Sequence, residues 1–284
     1  MKYKPAIFVF TLILVLFSCT KNSTNNNNPF TLTKVNENII LVGFGSDIIA
    51  ALKTDSGIVI IDSGCTKRLT KIYKFLITKY FDESEITYLI NTHGHYDHCA
   101  GNSVFTEVTK VGHYNCLLEL QKNQTSSINT DSLLLSVSKQ YIRNLCDEDL
   151  PPSEKDEISK QAIKYKYASE DYQNYLNNTS WDVLFEDTLT INIGEGRIEL
   201  YYFGSMHSTS DVLVYFPKEK AIFTGDLFFA GGRPSKSSFI ITDSIQWKKS
   251  VDRIYSDINE IEYVIGAHGQ VLSRSDLIAF LERF

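Results

Sequence analysis

Four apolar, strand-like runs in this chain stop on metal-ligand residues. "ITYLIN" (86–91) runs straight into "THGHYDH", which carries His93, His95, Asp97 and His98. "RIELYYFG" (197–204) is followed by His207, "AIFTGD" ends on Asp226, and "EYVIGA" (262–267) is followed by His268. Five of the chain's six histidines thus stand just beyond an apolar run, beside a glycine or a small residue. A metal ion needs several ligands held rigidly together. A chain built this way must therefore fold with these strand ends gathered at one edge.

The spacing within "HGHYDH" has its own logic. In an extended segment His93 and His95 lie two apart and project to the same side, so both reach one ion. Gly94 between them is read as room for the backbone to crowd the metal. Asp97 and His98 are adjacent and diverge from that pair, which suits a second ion nearby. A lone HxH is weak evidence, but HxHxDH at the end of a buried strand is strong.

The rest of the chain supplies the frame. "FTLTKV", "NIILVGF", "DIIAALKT" and "GIVIIDSG" alternate as four strands. A helix follows with Leu69, Ile72, Phe75, Leu76 and Tyr80 as its apolar stripe. Residues 122–180 differ in character, rich in Asn, Ser, Lys and Glu, and read as two helices. Leu134, Val137, Tyr141 and Leu145 stripe the first, and the second starts at Pro151-Pro152-Ser153. Strands resume at "DTLTINIG" and continue through "RIELYYFG", "DVLVYFP" and "AIFTGD"; a helix near 246–258, the strand "EYVIGA" and a last helix near 276–284 close the chain. Strand-rich halves around a helical insertion imply sheets packed together with helices outside.

Charge and cysteine usage narrow the class. The net charge of -6 and the absence of any long Lys/Arg run argue against a nucleic-acid groove. Residues 1–18 read as an export leader: two lysines in "MKYK" precede Ala6–Phe17, an apolar run broken only by Thr11 and short for a membrane span. "LFSC" resembles the lipobox of bacterial lipoproteins, which implies a lipid on Cys19 and an exported, membrane-anchored protein facing the periplasm or the cell surface. The Asn-rich stretch 19–29 reads as a flexible tether, and 30–284 as the folded domain. Cys65, Cys99, Cys116 and Cys146 form no CxxC pair, which argues against a thiolate zinc site.

In order along the chain, "GIVIIDSG", "NTHGHYDH", "GSMHSTSD", "FTGDLFF" and "IGAHG" resemble the metallo-β-lactamase superfamily. The resemblance implies an α/β fold, an αββα four-layer sandwich with the metals at one sheet edge. It also implies that His93, His95 and His207 hold one ion, that Asp97, His98 and His268 hold a second, that Asp226 bridges them, and that Asp62 orients the site from behind. Two ions so placed lower the pKa of a bridging water and present hydroxide at neutral pH, with Asp97 positioned to shuttle the proton. Nitrogen and carboxylate ligands without thiolate suit two Zn²⁺, with iron or manganese as alternatives.

Asp226 narrows the function further. The commonest true metallo-β-lactamases carry Cys at that position and a Lys three residues on, whereas this chain has Asp226 and Phe229. The site resembles more closely the superfamily's hydrolases of esters, thioesters, lactones or amides in small-molecule substrates. The alternatives are a genuine β-lactamase and a non-catalytic metal- or ligand-binding lipoprotein. Arg233 and Lys236 either supply an anion-binding group or sit in a solvated loop. Tyr96 either reaches substrate or packs. His113, the sixth histidine, either lines the pocket or hydrogen-bonds within the fold. Nothing in the pattern fixes the oligomeric state.

Overall fold

The computed structural model describes residues 28–82, 84–229 and 244–282. Cys19 with the leader, and the loop residues Arg233 and Lys236, lie outside the described residues. Twelve strands form two sheets among them. The first sheet runs β1 (Phe30–Lys34), β2 (Ile39–Phe44), β3 (Asp47–Thr54), β4 (Gly57–Ile61), β5 (Ile86–Ile90), β6 (Thr109–His113) and β7 (Val183–Phe185), in that spatial order. Pairing is antiparallel from β1 to β4 and parallel from β4 to β7. The second sheet comprises β8 (Thr188–Ile193), β9 (Gly196–Tyr202), β10 (Val212–Phe216), β11 (Ala221–Gly225) and β12 (Tyr263–Gly266), ordered β12-β11-β10-β9-β8.

Side chains alternate across each strand, and both faces of the central strands are covered, so the central strands carry near-continuous apolar runs. Leu41, Leu52, Val59, Ile61 and Ile90 of the first sheet meet Ile198, Leu200, Val212, Val214 and Phe223 of the second. The opposite face of the first sheet, with Ile40, Val42, Ala51, Ile58 and Ile60, packs on α1 (Lys67–Tyr80) through Leu69, Tyr73 and Ile77. The outer face of the second sheet packs on α6 (Ser244–Asp257) and α7 (Arg274–Leu281) through Trp247, Ile254, Leu277 and Phe280. This is the αββα sandwich expected.

Several local readings need correction. In α1 the i, i+4 stripe Leu69–Tyr73–Ile77 faces the sheet, while Phe75 and Tyr80 are exposed. That helix carries more apolar residues than one face can bury. Four further helices are α2 (Tyr96–Cys99), α3 (Tyr114–Thr125), α4 (Thr130–Asn144) and α5 (Pro152–Asn178). In α4, Leu134 and Ser138 are buried and Val137 is exposed. There the Ser138 hydroxyl donates to the Ala162 carbonyl of α5 at 2.7 Å, so a small residue sets the close approach of the two helices. Neither α3 nor the three-residue β7 was anticipated.

The sheets are stitched where the site lies. The Val212 N–H donates to the Thr92 carbonyl at 2.8 Å, and the Ile48 N–H to the Ala267 carbonyl at 3.1 Å. The segments following β5, β9, β11 and β12 therefore meet at one edge.

Candidate metal centre

Seven ligand-type side chains converge at that edge in two groups. His93, His95 and His207 form one; Asp97, His98, Asp226 and His268 form the other, and within each group the ligand atoms lie within 4.8 Å of one another. In the first, His207 Nε2 faces His95 Nδ1 at 3.2 Å. In the second, His98 Nε2 lies 3.7 Å from Asp97 Oδ2. Asp226 stands between the groups. Its Oδ1 lies 3.5 Å from His98 Nε2 and 3.2 Å from His268 Nε2, and its Oδ2 lies 3.4 Å from His207 Nε2.

The surroundings fix which ring nitrogens are free. Asp62 accepts the Thr92 N–H, the Thr92 hydroxyl and His98 Nδ1–H, at 2.8, 2.8 and 2.9 Å. The single Thr92 proton goes to that carboxylate, so the Thr92 oxygen accepts from His93 Nδ1–H at 3.2 Å. His268 Nδ1–H donates to the Ser46 carbonyl at 3.0 Å. Each of these three rings is thereby held in the tautomer that turns a bare Nε2 toward the site. His93 Nε2, His98 Nε2 and Asp226 Oδ1 are buried without a hydrogen-bond partner. Buried polar atoms are rarely left so. Imidazole nitrogens and carboxylate oxygens gathered in this way fit zinc chemistry.

Backbone geometry aims these groups. Asp62 holds a left-handed φ of 61°, rare outside glycine and found at functional turns. Gly225 adopts φ 54°, and a side chain there would run into Thr92, so only glycine lets β11 deliver Asp226 this close to β5. Below the His93–His98 segment, Asn91 donates to the His98 carbonyl at 2.9 Å and accepts from Asn102 and Trp181, each at 2.8 Å.

The electrostatics of the two groups differ. Burial pushes His93 well below the ordinary histidine range, with His98 and His95 adding to it, and burial lowers His207 against the pull of Asp226. Burial opposes charge on His98 too, but Asp226, Asp62 and Asp97 outweigh it and hold His98 well above that range. His268 is raised in the same way, against burial, by Asp226. Burial disfavours ionised Asp226, yet His98 and His268 keep its carboxyl well below the usual range. The carboxylates thus form a negative field that draws positive charge onto the nearest histidines.

The other candidates fall elsewhere. His113 has both ring nitrogens engaged: Nε2–H donates to the Glu186 carbonyl at 2.7 Å, and Nδ1 accepts the Asn115 N–H at 3.1 Å. It stacks on Tyr202 at 3.8 Å and is buried, so it caps α3 and does not line a pocket. Tyr96 packs against Tyr172, with ring centroids 6.1 Å apart. Cys99 lies beneath the loop, its thiol donating to the His93 carbonyl at 3.1 Å, and Cys65, Cys99, Cys116 and Cys146 are all free.

Sequence reasoning missed Asp211, which is buried and accepts the N–H groups of Met206, His207 and Ser208, fixing the loop that carries His207. Its signal was present in "HSTSD", where an acidic residue can fold back on the amides just before it. Glu119, which also braces this loop, had no such signal.

Comparison with known proteins agrees with this geometry. A family model described as the metallo-beta-lactamase superfamily matches residues 42–268. Among curated relatives, the type 2 metallo-beta-lactamase of Bacteroides fragilis is 27% identical over 85 residues, which is 30% of this chain and 34% of the relative. That of Elizabethkingia meningoseptica is 27% identical over 86 residues, with the same shares. The chain thus spans about a third of the length of the curated relatives it matches. Among solved structures, a metallo-beta-lactamase from Pontibacter korlensis covers 90% of this chain and all of its own, with TM-score 0.57 and 17% identity. The sec-alkylsulfatase Pisa1 from Pseudomonas sp. covers 88% of this chain and 40% of its own, with TM-score 0.59 and 16% identity. These structural likenesses speak for the fold. With the family model spanning β2 to His268, the two sheets and the edge where their ligands meet, this chain belongs to the metallo-beta-lactamase superfamily, whose members are metal-dependent hydrolases.

Proposed function

We propose that this chain is a binuclear metal hydrolase acting on an ester, thioester, lactone or amide. His93, His95 and His207 would hold one ion, Asp97, His98 and His268 the second, with Asp226 shared. The observation that carries this reading is Asp226, whose two oxygens face different ligand groups. Bound zinc supplies a Lewis acid and a water of lowered pKa.

What the chain contributes is orientation and proton handling. Asp62 and the Ser46 carbonyl hold the rings of His98 and His268. Side-chain exposure separates the carboxylates: 4% for Asp62, 10% for Asp226 and 27% for Asp97. Asp97 is the one that substrate and solvent reach, so it accepts the attacking water's proton and returns it to the leaving group. Phe229 packs edge-on against His268 with ring centroids 5.3 Å apart, an apolar wall suited to an acyl group.

The test is a panel of acyl substrates assayed beside metal quantification, on protein stripped of metal and then reloaded with zinc. Turnover of at least one acyl class that disappears with the metal is expected; a fully loaded protein inert to the whole panel would sink the reading. β-Lactam hydrolysis is the second reading, favoured by the names of the local relatives. Nitrocefin turnover above that of free zinc would establish it. The same proposal sets the domain behind a lipidated Cys19 at a membrane surface. Fatty-acid labelling that persists in Cys19→Ala would remove that anchor.

A further inference from the structure

Metal ligands need support from behind, and the two groups receive it differently. His98 and His268 are held through their rings. His95 and His207 have no ring hydrogen bond to any described residue beyond the contact they make with each other. What holds them is the backbone on which they stand, and α3 reaches it.

Gly94 separates His93 from His95. Its N–H donates to the Ser210 hydroxyl at 2.8 Å, and that hydroxyl donates to Glu119 Oε2 of α3 at 2.8 Å. Glu119 Oε1 accepts the Thr209 N–H at 2.8 Å and the Thr209 hydroxyl at 2.5 Å. Asn115, one turn earlier on α3, donates to the Thr209 carbonyl at 2.6 Å. One carboxylate therefore joins the loop that follows His207 to the peptide between His93 and His95. The Gly94 carbonyl is gripped from the other side: the Tyr175 hydroxyl of α5 donates to it at 3.0 Å, and Asn123 of α3 donates to that hydroxyl at 3.4 Å. Tyr175 is fully buried. A side chain at Gly94 would collide with the Glu119 carboxylate and lie 3.0 Å from Cys116 Cα. Glycine is required here because α3 packs against the peptide, a different reason from crowding toward a metal.

We infer that Glu119 and Tyr175 are positioning residues for the three-histidine group, a two-sided clamp on the Gly94 peptide that sets the distance between His93, His95 and His207. The clamp gives α3 and α5 a part in the site that neither has through direct contact with a ligand ring. It rests on the metal-binding reading above and is tested apart from it. Glu119→Gln keeps the shape but puts an amide donor where an oxygen accepted; Tyr175→Phe keeps the packing and frees the Gly94 carbonyl.

Zinc is titrated against a competing chelator while the imidazole ¹⁵N–¹H signals are followed. With six histidines in the chain, each signal can be assigned. Each variant should weaken zinc binding about 10–100-fold at His93, His95 and His207, the usual cost of losing an orienting partner. His98 and His268 should saturate close to the wild-type zinc concentration. Unchanged binding at the three-histidine group, or equal weakening of both groups in step with a lowered Tm, would overturn the clamp. Wild-type signals that ignore zinc would overturn the metal reading, and the clamp with it.

Discussion

On the outer face of the second sheet, Glu199 is buried against Arg197 and Arg253 and takes a hydrogen bond from the Tyr201 hydroxyl; at the site edge, Asp62, Asp97 and Asp226 converge on histidines. Asp47 resembles Glu199 in this respect, paired with Lys164 of α5 at 2.8 Å with both side chains buried. Among the described residues no lysine or arginine pairs with any of the three site carboxylates. Burying a charge is costly unless a partner is buried with it. Where the chain supplies that partner, the carboxylate serves the fold. Where it supplies only histidines, whose positive charge those carboxylates favour, the same edge is chemically suited to take a bound cation instead.

The largest break in that comparison comes from Asp226→Ala. Removing the shared carboxylate should lower affinity for the second ion by more than the roughly 10–100-fold seen for residues that merely orient a ligand. Metal affinity should fall further than the stability of the metal-free protein, because the partners of Asp226 among the described residues are the site histidines His98, His207 and His268 and not a lysine or arginine of the core. Metal analysis returning two ions per chain would remove Asp226 from the shared position. Asp97→Asn should lower kcat about 10²–10⁴-fold, the usual share of a positioned acid–base group, with the fold intact. Wild-type turnover in that variant would move the proton to another group.

These carboxylates also mark what a reader of the sequence can and cannot see. His93, His95, Asp97, His98, His207, Asp226 and His268 are legible because each follows an apolar run whose period announces a strand. The sandwich is legible for the same reason, since strands covered on both faces must be apolar throughout. Glu119, Tyr175 and Lys164 are not. Each lies in a helix of ordinary polar character, and its partner is 81 or more positions away: Ser210, Gly94 and Asp47 are brought near only by tertiary packing. Ser138 is hidden for a related reason. A helix face chosen by apolar count favoured Val137, whereas close helix approach selected the small residue beside it.

Lys164→Met tests the other side of the comparison. Asp47 would be left buried without its cation, a change that typically costs roughly 3–5 kcal/mol. Desolvation opposes the charge on Lys164, but Asp47 outweighs it and raises the lysine's pKa, which marks the pair as ionised. Denaturant unfolding should show the loss in full, with zinc content unchanged. A variant of wild-type stability would mean that Asp47 finds another donor.

The smallest effect is expected at Glu199, and its sign separates it from the site. Burial favours the protonated acid there, but hydrogen bonds from Arg197 and Arg253 outweigh burial and hold the carboxyl below the usual range. A folded pKa below the unfolded one means that the unfolded chain takes up its proton first as pH falls. The contribution of Glu199 is therefore complete above the ordinary glutamate pKa of about 4.3 and fades below it. Glu199→Gln should lower Tm at pH 7, and that deficit should shrink steadily as the pH falls below the ordinary glutamate range. Its zinc content and turnover should match the wild type at neutral pH, because the arginines that balance Glu199 belong to the chain and the metal does not. A deficit independent of pH would show that Glu199 acts through packing, unlike Asp47, whose charge is matched by the buried Lys164.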